Sequence, residues 1–253
     1  MVVKNEELPL VILQARVGST RLPGKVLAEV NGKPIIYWQI RRTLEAISSE
    51  KLVLATSENM ADDKLIEIAN DLGIKSIRGS ADNVAYRFHK ALLEFPCTSF
   101  IRLTGDCPLV MPKLILEMIE HFKNSDIDYL SNSLKPSYPD GLDVEIIRTK
   151  SYLSLMNREL TEKEMEHVTY GLYTRSKEFI TENYEHKMDL SKMRWTLDYS
   201  EDLEFIRKIY DNFKGRECSF TMEEVLDFLK MNPEVSNKRG PEFRNVALKE
   251  REE

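Results

Sequence analysis

Short apolar runs alternate with segments of helical period through the first half of the chain, and this alternation constrains the fold more than any other feature. The first run, residues 8–14, lies between charged residues and a glycine-containing loop, as expected for a buried strand. Ile36, Ile40 and Leu44 then recur every four residues, which is typical of one face of a helix. By the same criteria, strands are predicted over 8–14, 51–56, 74–77 and 99–103, and helices over 36–47, 65–72, 84–95 and 112–122. This order predicts an α/β protein with a mostly parallel sheet and helices on both faces.

The second half of the chain is less regular. Strands are predicted over 128–131, 144–148 and 193–197, and helices over 151–160, 203–213 and 222–230. No linker divides the sequence, so we expect a single domain over residues 1–231. A polar stretch with few apolar residues, 232–253, follows and is predicted to be a loosely held tail.

The composition excludes several classes of protein. Among 253 residues, 36 Lys and Arg stand against 42 Asp and Glu, and the net charge of −6 argues against a dedicated nucleic-acid binder. Three cysteines without a Cys-x-x-Cys pair argue against a zinc ribbon and suit a reducing compartment. No apolar run reaches the ~20 residues of a membrane span, and Lys4, Glu6 and Glu7 interrupt the N-terminus where a signal peptide needs an apolar core. We therefore expect a cytoplasmic protein without a membrane or nucleic-acid partner.

The stretch QARVGSTRLPGK, residues 14–25, follows the first predicted strand, where open α/β sheets place their ligands. Gly18 and Gly24 allow the backbone to approach a ligand closely, and the loop carries three cations, Arg16, Arg21 and Lys25. These features fit a loop that wraps the phosphates of a nucleotide. The spacing differs from that of the two common glycine-rich nucleotide loops. The alternative is a charged surface turn, because the same residue types favour turns.

Two aspartates that follow predicted strands are candidates for a metal site. Asp106 comes after a Thr-Gly turn at the end of the strand over 99–103, and Asp198 follows the strand over 193–197. Carboxylates at the carboxyl edge of a sheet are well placed to hold Mg²⁺ beside phosphate oxygens. Both have an alternative role, because each is also positioned to cap the helix that comes next.

A third group of polar residues lies in the second half of the chain. Asp143 and Glu145 are two residues apart in a predicted strand, so their carboxylates share one side of it. His167 is the strongest candidate among the four histidines for contact with a substrate. The alternative for His167 is a structural role, which is the commoner fate of a lone histidine.

In this order, the motifs resemble the SpsF-like spore-coat polysaccharide proteins, which group with the cytidylyltransferases that activate acidic sugars such as KDO and sialic acid. The first motif, over 14–25, is typical of nucleotidyltransferases of this type, whereas DGLDVE over 140–145 and RWTLD over 194–198 narrow the resemblance to the SpsF-like branch. Shorter matches are ATS at 55–57, RGS at 78–80, RLTGDCP at 102–108 and EHVT at 166–169. The resemblance spans residues 8–230.

The resemblance implies a fold, a reaction and an assembly. The fold is a Rossmann-like nucleotidyltransferase domain of three layers, similar to that of GT-A nucleotide-diphospho-sugar transferases, with a mostly parallel mixed sheet. In the reaction, an acceptor oxygen attacks the α-phosphorus of Mg²⁺-bound CTP, pyrophosphate leaves, and the acceptor carries CMP. The acceptor would be a sugar, a sugar acid or a related small molecule used for cell-surface polysaccharide, and the enzyme would be a homodimer.

The resemblance also implies roles for individual residues. The nucleotide would contact Gln14, Ala15, Arg16, Gly18, Ser19, Lys25, Ser57, Arg78, Arg102 and Asp106. The acceptor would contact Asp140, Asp143, Glu145, His167 and Arg194. Asp106 and Asp198 would be the ligands of Mg²⁺, and Arg16, Lys25 and Asp106 would act directly in catalysis.

Two other functions are consistent with the residues. The first is a nucleotide-sugar glycosyltransferase of related fold, for which Asp126-Ile-Asp128 has the spacing of an Asp-x-Asp metal motif but begins a strand instead of ending one. The second is a nucleotide-binding subunit that has lost the chemistry, against which the presence of both Asp106 and Asp198 argues.

Overall fold

The computed structural model describes residues 8–175 and 177–236. The strands are β1 (Leu10–Gln14), β2 (Glu29–Val30), β3 (Lys33–Pro34), β4 (Leu52–Ser57), β5 (Lys75–Gly79), β6 (Ser99–Thr104), β7 (Tyr129–Ser131), β8 (Glu145–Arg148) and β9 (Thr181–Asn183). The helices are α1 (Ile35–Leu44), α2 (Asp63–Asp71), α3 (Val84–Glu94), α4 (Pro112–Lys123), α5 (Thr149–Met156), α6 (Glu162–Glu166), α7 (Tyr170–Thr174), α8 (Ser200–Asn212) and α9 (Met222–Met231). Most of the predicted tail, from residue 237 onward, lies outside the described residues, so the division at residue 231 stays a prediction.

In the described part of the chain, seven strands form one mixed sheet in the order β5-β4-β1-β6-β8-β7-β9. The first four strands of this order are parallel to one another, β8 is antiparallel to both β6 and β7, and β9 is parallel to β7. The prediction of a mostly parallel mixed sheet is therefore confirmed. Among the same residues, no helix is both long and apolar enough to cross a membrane.

The sheet is buried on both faces because consecutive side chains of its central strand point in opposite directions. Val11 and Leu13 of β1 pack into one apolar cluster, with residues of α1, α4 and α8, whereas Leu10 and Ile12 pack into a second cluster, with residues of α3 and α5. All four side chains are almost fully excluded from solvent. The alternating faces of the strands thus produce three layers, with the sheet in the middle.

The loops that follow β1 and β6 meet at one edge of the sheet. β1 and β6 are parallel neighbours in a register that pairs Gln14 with Thr104, so both strands end at the same level. The backbone N–H of Gly105 donates to the carbonyl of Gln14 at 2.8 Å, and a Cβ atom at position 105 would lie 2.8 Å from the Cβ of Ala15. A glycine at 105 is therefore what allows the two loops to pass this close.

The strand predicted over 193–197 is wrong. The structure has no strand there, and the segment's only ladder contact among the described residues is a single bridge between Arg194 and Asp140. Its backbone alternates between two partners, because the N–H of Trp195 donates to the carbonyl of Asp140 at 2.6 Å, while the N–H of Leu197 donates to the carbonyl of Asp106 at 2.8 Å. An apolar run shows that a segment is buried but not which neighbours receive its hydrogen bonds.

Other departures from the predicted elements have local causes. The hairpin β2–β3 was not predicted, although Asn31 and Gly32 form its turn with φ angles of 49° and 74°, as Asn-Gly pairs commonly do. Helix α8 begins three residues earlier than predicted because the carboxylate of Asp202 accepts the N–H of Tyr199 at 3.0 Å and so caps the helix at Ser200. The short elements α6, α7 and β9 were also not predicted.

The turn at Gly141 gives a test of how the segment around Trp195 is held. Gly141 has a φ of +102°, and a Cβ atom there would lie 2.4 Å from the backbone nitrogen of Thr196 and 2.6 Å from the carbonyl carbon of Trp195. We expect Gly141→Ala to lower the free energy of unfolding by more than about 3 kcal/mol, because steric overlap adds to backbone strain. Urea denaturation measures the change.

The matched control is Gly73→Ala. Gly73 also has a positive φ, +66°, but a Cβ atom there meets nothing within 4 Å. We expect this variant to lose only about 1 kcal/mol, the cost of the backbone conformation alone. Equal losses in the two variants would contradict a close approach at Gly141.

Candidate functional site

A cavity of about 910 Å³ opens at the edge of the sheet where β1 and β6 end. Its volume lies in the range of pockets that hold a cofactor-sized ligand. Most of the predicted site residues line it, namely Gln14, Ala15, Arg16, Gly18, Ser19, Lys25, Arg102, Asp106, Asp140, Asp143, Glu145, His167, Arg194 and Asp198. Ser57 and Arg78 are not among the lining residues. The loop over 14–25 is therefore part of a concave polar site and not an isolated surface turn.

Lys25 joins the two candidate metal-ligating aspartates. Its Nζ atom lies 3.0 Å from Oδ2 of Asp106 and 2.8 Å from Oδ1 of Asp198. The side chain reaches this position because Gly24, with a φ of 73°, turns the loop into a short 3-10 helix that starts at Lys25. Lys25 is buried, so the two ion pairs are shielded from bulk water.

The pKa values of the three groups follow from this arrangement. Burial opposes the charge on Lys25, but attraction to Asp106 and Asp198 outweighs it, and the pKa of Lys25 is raised. Burial likewise opposes ionisation of Asp106, yet the neighbouring ammonium of Lys25 lowers the pKa of Asp106 to about 2. The pKa of Asp198 is also lowered, against the effects of burial and of the charge on Asp106. All three groups are therefore charged at neutral pH.

The alternative capping roles of the two aspartates are wrong. Helix α4 has Met111 at its N-cap, with no side chain bonded there, so Asp106 does not cap it. The N-terminus of α8 is capped by Asp202, which accepts the N–H groups of both Asp198 and Tyr199. Neither the Asp106 nor the Asp198 carboxylate caps the N-terminus of a helix. Both carboxylates are therefore free of a capping role and can act in the cavity.

Arg194 is buried and binds three acidic residues at the cavity. Its guanidinium donates to Asp140 at 2.9 Å, to Asp198 at 3.2 Å and to Asp202 at 3.0 and 3.1 Å. The side chain is 3% exposed. Contact between Arg194 and an acceptor stays a prediction, whereas the structure assigns it a clear part in fixing the position of Asp198.

Glu145 lies at the centre of a second network. One of its carboxylate oxygens accepts from Tyr129 and from Thr169, and the other pairs with the guanidinium of Arg102. Arg102 in turn donates from Nε to the side-chain carbonyl of Gln14 at 2.9 Å. The network holds Arg102 and Gln14 rigidly against the cavity, so we interpret Glu145 as a residue that positions them.

Ser57 is turned toward a buried aspartate that the sequence analysis did not identify. Asp62 accepts hydrogen bonds from the N–H of Val17 at 2.7 Å, from the Oγ1 of Thr56 at 2.9 Å, and from both the N–H and the Oγ of Ser57. Arg78 pairs with Asp63 instead of facing the cavity. The Asp62 carboxylate thus ties the loop after β1 to the end of β4. Nothing in the sequence distinguishes Asp62 from its exposed neighbour Asp63.

The Asp-x-Asp spacing at 126–128 does not form part of the site. The carboxylate of Asp128 accepts from the N–H of Ile180 at 2.9 Å and from the hydroxyl of Ser151, and Asp128 is not a lining residue of the cavity. This placement argues against the glycosyltransferase hypothesis, for which Asp126-Ile-Asp128 was the candidate metal motif.

The donor set at Asp106 and Asp198 fits a magnesium ion. One oxygen of each carboxylate lies within 3.0 Å of a common point, now taken by the ammonium of Lys25. Mg²⁺ is usually bound by one or two carboxylates together with substrate phosphates, rather than by a full protein cage. Residues 8–175 and 177–236 contain no group of three or more His, Cys, Asp or Glu arranged for a metal.

The fold and the site together define a nucleotidyltransferase of the α/β class. A cationic loop after the first strand meets the carboxylates of Asp106 and Asp198 in a polar cavity at the edge of a mostly parallel sheet. The particular family follows from comparison with known proteins. The chain belongs to the cytidylyltransferase family, whose pattern matches residues 10–227.

Individual relatives agree with this assignment and confirm the SpsF-like resemblance. The spore coat polysaccharide biosynthesis protein SpsF of Bacillus subtilis is 31% identical over 239 residues, which cover 91% of this chain and 97% of that protein. A 3-deoxy-manno-octulosonate cytidylyltransferase of Synechococcus elongatus is 29% identical over 133 residues, or 51% of this chain and 53% of the relative. The solved structure of a cytidylyltransferase from Leptospira borgpetersenii superposes with a TM-score of 0.86 at 30% identity, covering 91% of this chain and 97% of that one.

The Asp62 network generates a pH-dependent prediction. We expect Asp62→Asn to lower the free energy of unfolding by about 2 kcal/mol near pH 7, because the buried carboxylate accepts four hydrogen bonds that the amide cannot all accept. Burial opposes ionisation, but these hydrogen bonds outweigh it and lower the pKa of Asp62 in the folded protein. The stabilisation is therefore complete above the unfolded-state pKa of about 4 and is lost as the pH falls toward the folded-state value.

Urea denaturation of the wild-type protein and of Asp62→Asn from about pH 7 to about pH 3 tests this expectation. The difference between their free energies of unfolding should become smaller toward the acid end of this range. The matched control is Asp63→Asn, since Asp63 is the next residue, is exposed and pairs with Arg78 at the surface. We expect a change within about 0.5 kcal/mol for the control. A gap for Asp62→Asn that does not vary with pH would contradict an ionised, hydrogen-bonded Asp62.

Proposed function

We propose that this chain transfers CMP from CTP to a sugar, a sugar acid or a related small acceptor, with release of pyrophosphate, in the synthesis of cell-surface polysaccharide. Membership of the cytidylyltransferase family supports the reaction. The similarity to SpsF, which is named for spore coat polysaccharide biosynthesis, supports the pathway class. The similarity to 3-deoxy-manno-octulosonate cytidylyltransferase supports a sugar acid as acceptor.

One observation carries the proposal. The Nζ of Lys25, from the candidate phosphate loop, lies on the carboxylates of both Asp106 and Asp198. The loop cation and the two carboxylates therefore lie within a few ångströms of one another, at the edge of the sheet where α/β proteins bind nucleotides. Transfer of a nucleotidyl group mainly requires that the phosphates be positioned and that their charge be neutralised, which a cluster of this composition supplies.

The roles of the residues follow from the chemistry. Lys25 and Arg16 would neutralise charge on the triphosphate, and the backbone around Gly18 and Ser19 would approach its oxygens. Asp106 and Asp198 would hold Mg²⁺, which when bound polarises the α-phosphate and favours departure of pyrophosphate. Arg194 would keep Asp198 in place through their ion pair. In the reaction, the acceptor oxygen forms a bond to the α-phosphorus and loses its proton, while the bond to the β-phosphate oxygen breaks and pyrophosphate leaves with the electron pair.

The acceptor is proposed to bind beside Asp143 and His167. Asp143 and His167 line the same cavity as the phosphate loop. They thus offer polar contacts to a hydroxylated molecule within the volume that also takes the nucleotide. Glu145 is less suited to this role, since Arg102, Tyr129 and Thr169 already occupy its carboxylate.

We also propose that the protein is a cytoplasmic homodimer. The resemblance to SpsF-like proteins supports the dimer, and the three cysteines, which are all free thiols in the described structure, support a reducing compartment. Light scattering on the purified protein measures the oligomeric state.

Nucleotide-dependent thermal unfolding tests the proposed substrate. We expect CTP with Mg²⁺ to raise the melting temperature more than UTP, GTP, ATP or dTTP, because a ligand that binds the folded state stabilises it. At about 100 times its dissociation constant, CTP should contribute roughly 2.7 kcal/mol. A larger shift with another triphosphate would change the base, and a shift with nucleoside diphosphates alone would contradict the reaction.

The carboxylate pair gives a second prediction for the same assay. We expect Asp106→Asn to fold, because Lys25 keeps its ion pair with Asp198. The variant should lose the magnesium-dependent part of the CTP shift, and turnover, measured as pyrophosphate release with sugar acids, should fall by about 100-fold or more. The control is Asp71→Asn, an exposed position at the end of α2 that should behave as wild type. Near-normal turnover of Asp106→Asn would remove Asp106 from the metal site.

A further inference from the structure

Arginines of the described ranges that line the cavity fall into two groups. Arg21, Arg102 and Arg194 each form an ion pair with a carboxylate of the site. Arg16 and Arg87 also line the cavity, but neither pairs with a carboxylate among residues 8–175 and 177–236. This second pair is the feature of the site that the proposed roles do not yet explain.

Arg87 is the more unusual of the two. It lies one turn into α3 and is 2% exposed. Its Nε and Nη2 donate to the carbonyl of Ser80 at 3.1 and 2.6 Å, and Nη2 also donates to the carbonyl of Ala81 at 3.3 Å. Arg16 donates to the same carbonyl of Ala81, also at 3.3 Å, so two guanidinium groups meet at one backbone oxygen. Each of these hydrogen bonds is to a neutral acceptor, and neither guanidinium forms an ion pair with a carboxylate of the described residues, although the charge of Asp62 attracts Arg87.

A buried arginine without a carboxylate can be purely structural, and Arg42 is the example in this chain. Arg42 donates from Nε, Nη1 and Nη2 to the backbone carbonyls of Val110, Glu217 and Phe220, respectively. Its Nη2 also donates to the Sδ of Met111, and the guanidinium stacks on the Phe220 ring. All three of its nitrogens are thus used away from the cavity.

Arg87 differs from Arg42 in two respects. Its Nη1 has no hydrogen-bond partner within the described part of the chain, and its side chain lines the cavity. Burial, together with repulsion from Arg16, lowers the pKa of Arg87 to about 10. A buried cation beside a like charge is unfavourable in the free protein, and an anion in the cavity would relieve this cost.

We propose that Arg87, together with Arg16, binds the β- or γ-phosphate of the nucleotide. The inference rests on the proposed function and extends it to a residue that no motif indicated. The triphosphate is the most highly charged part of the proposed substrates, and Arg16 belongs to the loop that is proposed to wrap it. The reacting α-phosphate must lie at the carboxylates, which leaves the outer phosphates for cations that have no carboxylate partner. Guanidinium groups suit this role because they offer paired donors to phosphate oxygens.

Calorimetric titration with CTP and CMP tests the proposal, because only CTP carries the outer phosphates. In Arg87→Met, we expect CTP affinity to fall about 10-fold to 100-fold and CMP affinity to stay within about twofold, so the ratio of the two affinities falls. The matched control is Lys90→Met, which removes an exposed cation one turn further along the same helix. The control should keep the wild-type ratio.

Two results would overturn the inference. An unchanged ratio in folded Arg87→Met, with CTP and CMP weakened equally, would show that Arg87 acts on the base, the ribose or the loop at Ser80. Unchanged affinity for both nucleotides would show a structural role only. If the methionine variant does not fold, Arg87→Lys replaces it, and a ratio lowered at least about threefold is then expected because lysine cannot form paired bonds; an unchanged ratio there also overturns the inference.

The design separates this inference from the proposed function. If the wild-type protein binds neither CTP nor CMP, the proposed function fails, and the role of Arg87 fails with it. If the wild-type protein prefers CTP to CMP and Arg87→Met keeps that preference, only the role of Arg87 is wrong.

Discussion

The ion pairs of Lys25 with Asp106 and Asp198 are the interaction on which the site depends. They join three segments that are 81 and 173 residues apart in the chain. Two carboxylates this close in a buried cavity repel each other unless a cation lies between them. Lys25 supplies that cation, and it can do so because the parallel strands β1 and β6 end at the same level. The fold thus brings Asp106 and Asp198 together, and Lys25 of the loop offsets the repulsion between their carboxylates.

The other charged residues of the site form two hydrogen-bonded networks around Lys25, Asp106 and Asp198. Arg194 holds Asp198 from below while Asp202 caps α8, so the position of one carboxylate is tied to the start of a helix. The network of Glu145, Arg102 and Gln14 forms a separate unit on the neighbouring strands. Because the groups around Arg194 and Glu145 already have partners, these two networks are preorganised, and little rearrangement of them is needed when charge develops in the reaction.

The sequence was sufficient to predict the sheet and to name Lys25, Asp106 and Asp198 as candidate residues of a nucleotide site, because ligands of open α/β proteins bind at the edge where parallel strands end. It did not predict that Lys25 forms ion pairs with both aspartates. The sequence was insufficient where side-chain contacts determine which residues are buried and which partners they bind. Asp62 and Asp63 look alike in sequence, yet one is buried under four hydrogen bonds and the other is exposed. Arg87 appears in sequence as one more charged residue of a helix. The apolar run at 193–197 predicted burial correctly, but its hydrogen bonds go to two loops and not to a strand.

The charges of the cavity are distributed unevenly between its two parts. Around Asp198, cations and carboxylates form ion pairs with one another, whereas Arg16 and Arg87 lie together without an ion pair to any carboxylate of the described residues. The proposed triphosphate would therefore meet two arginines without ion pairs at one place and a carboxylate pair, suited to a divalent cation, at another. Since Lys25 lies on that carboxylate pair, a metal ion held there would compete with the ammonium for the same oxygens. The phosphates offer Lys25 an alternative partner, so binding of the metal and of the nucleotide should favour each other.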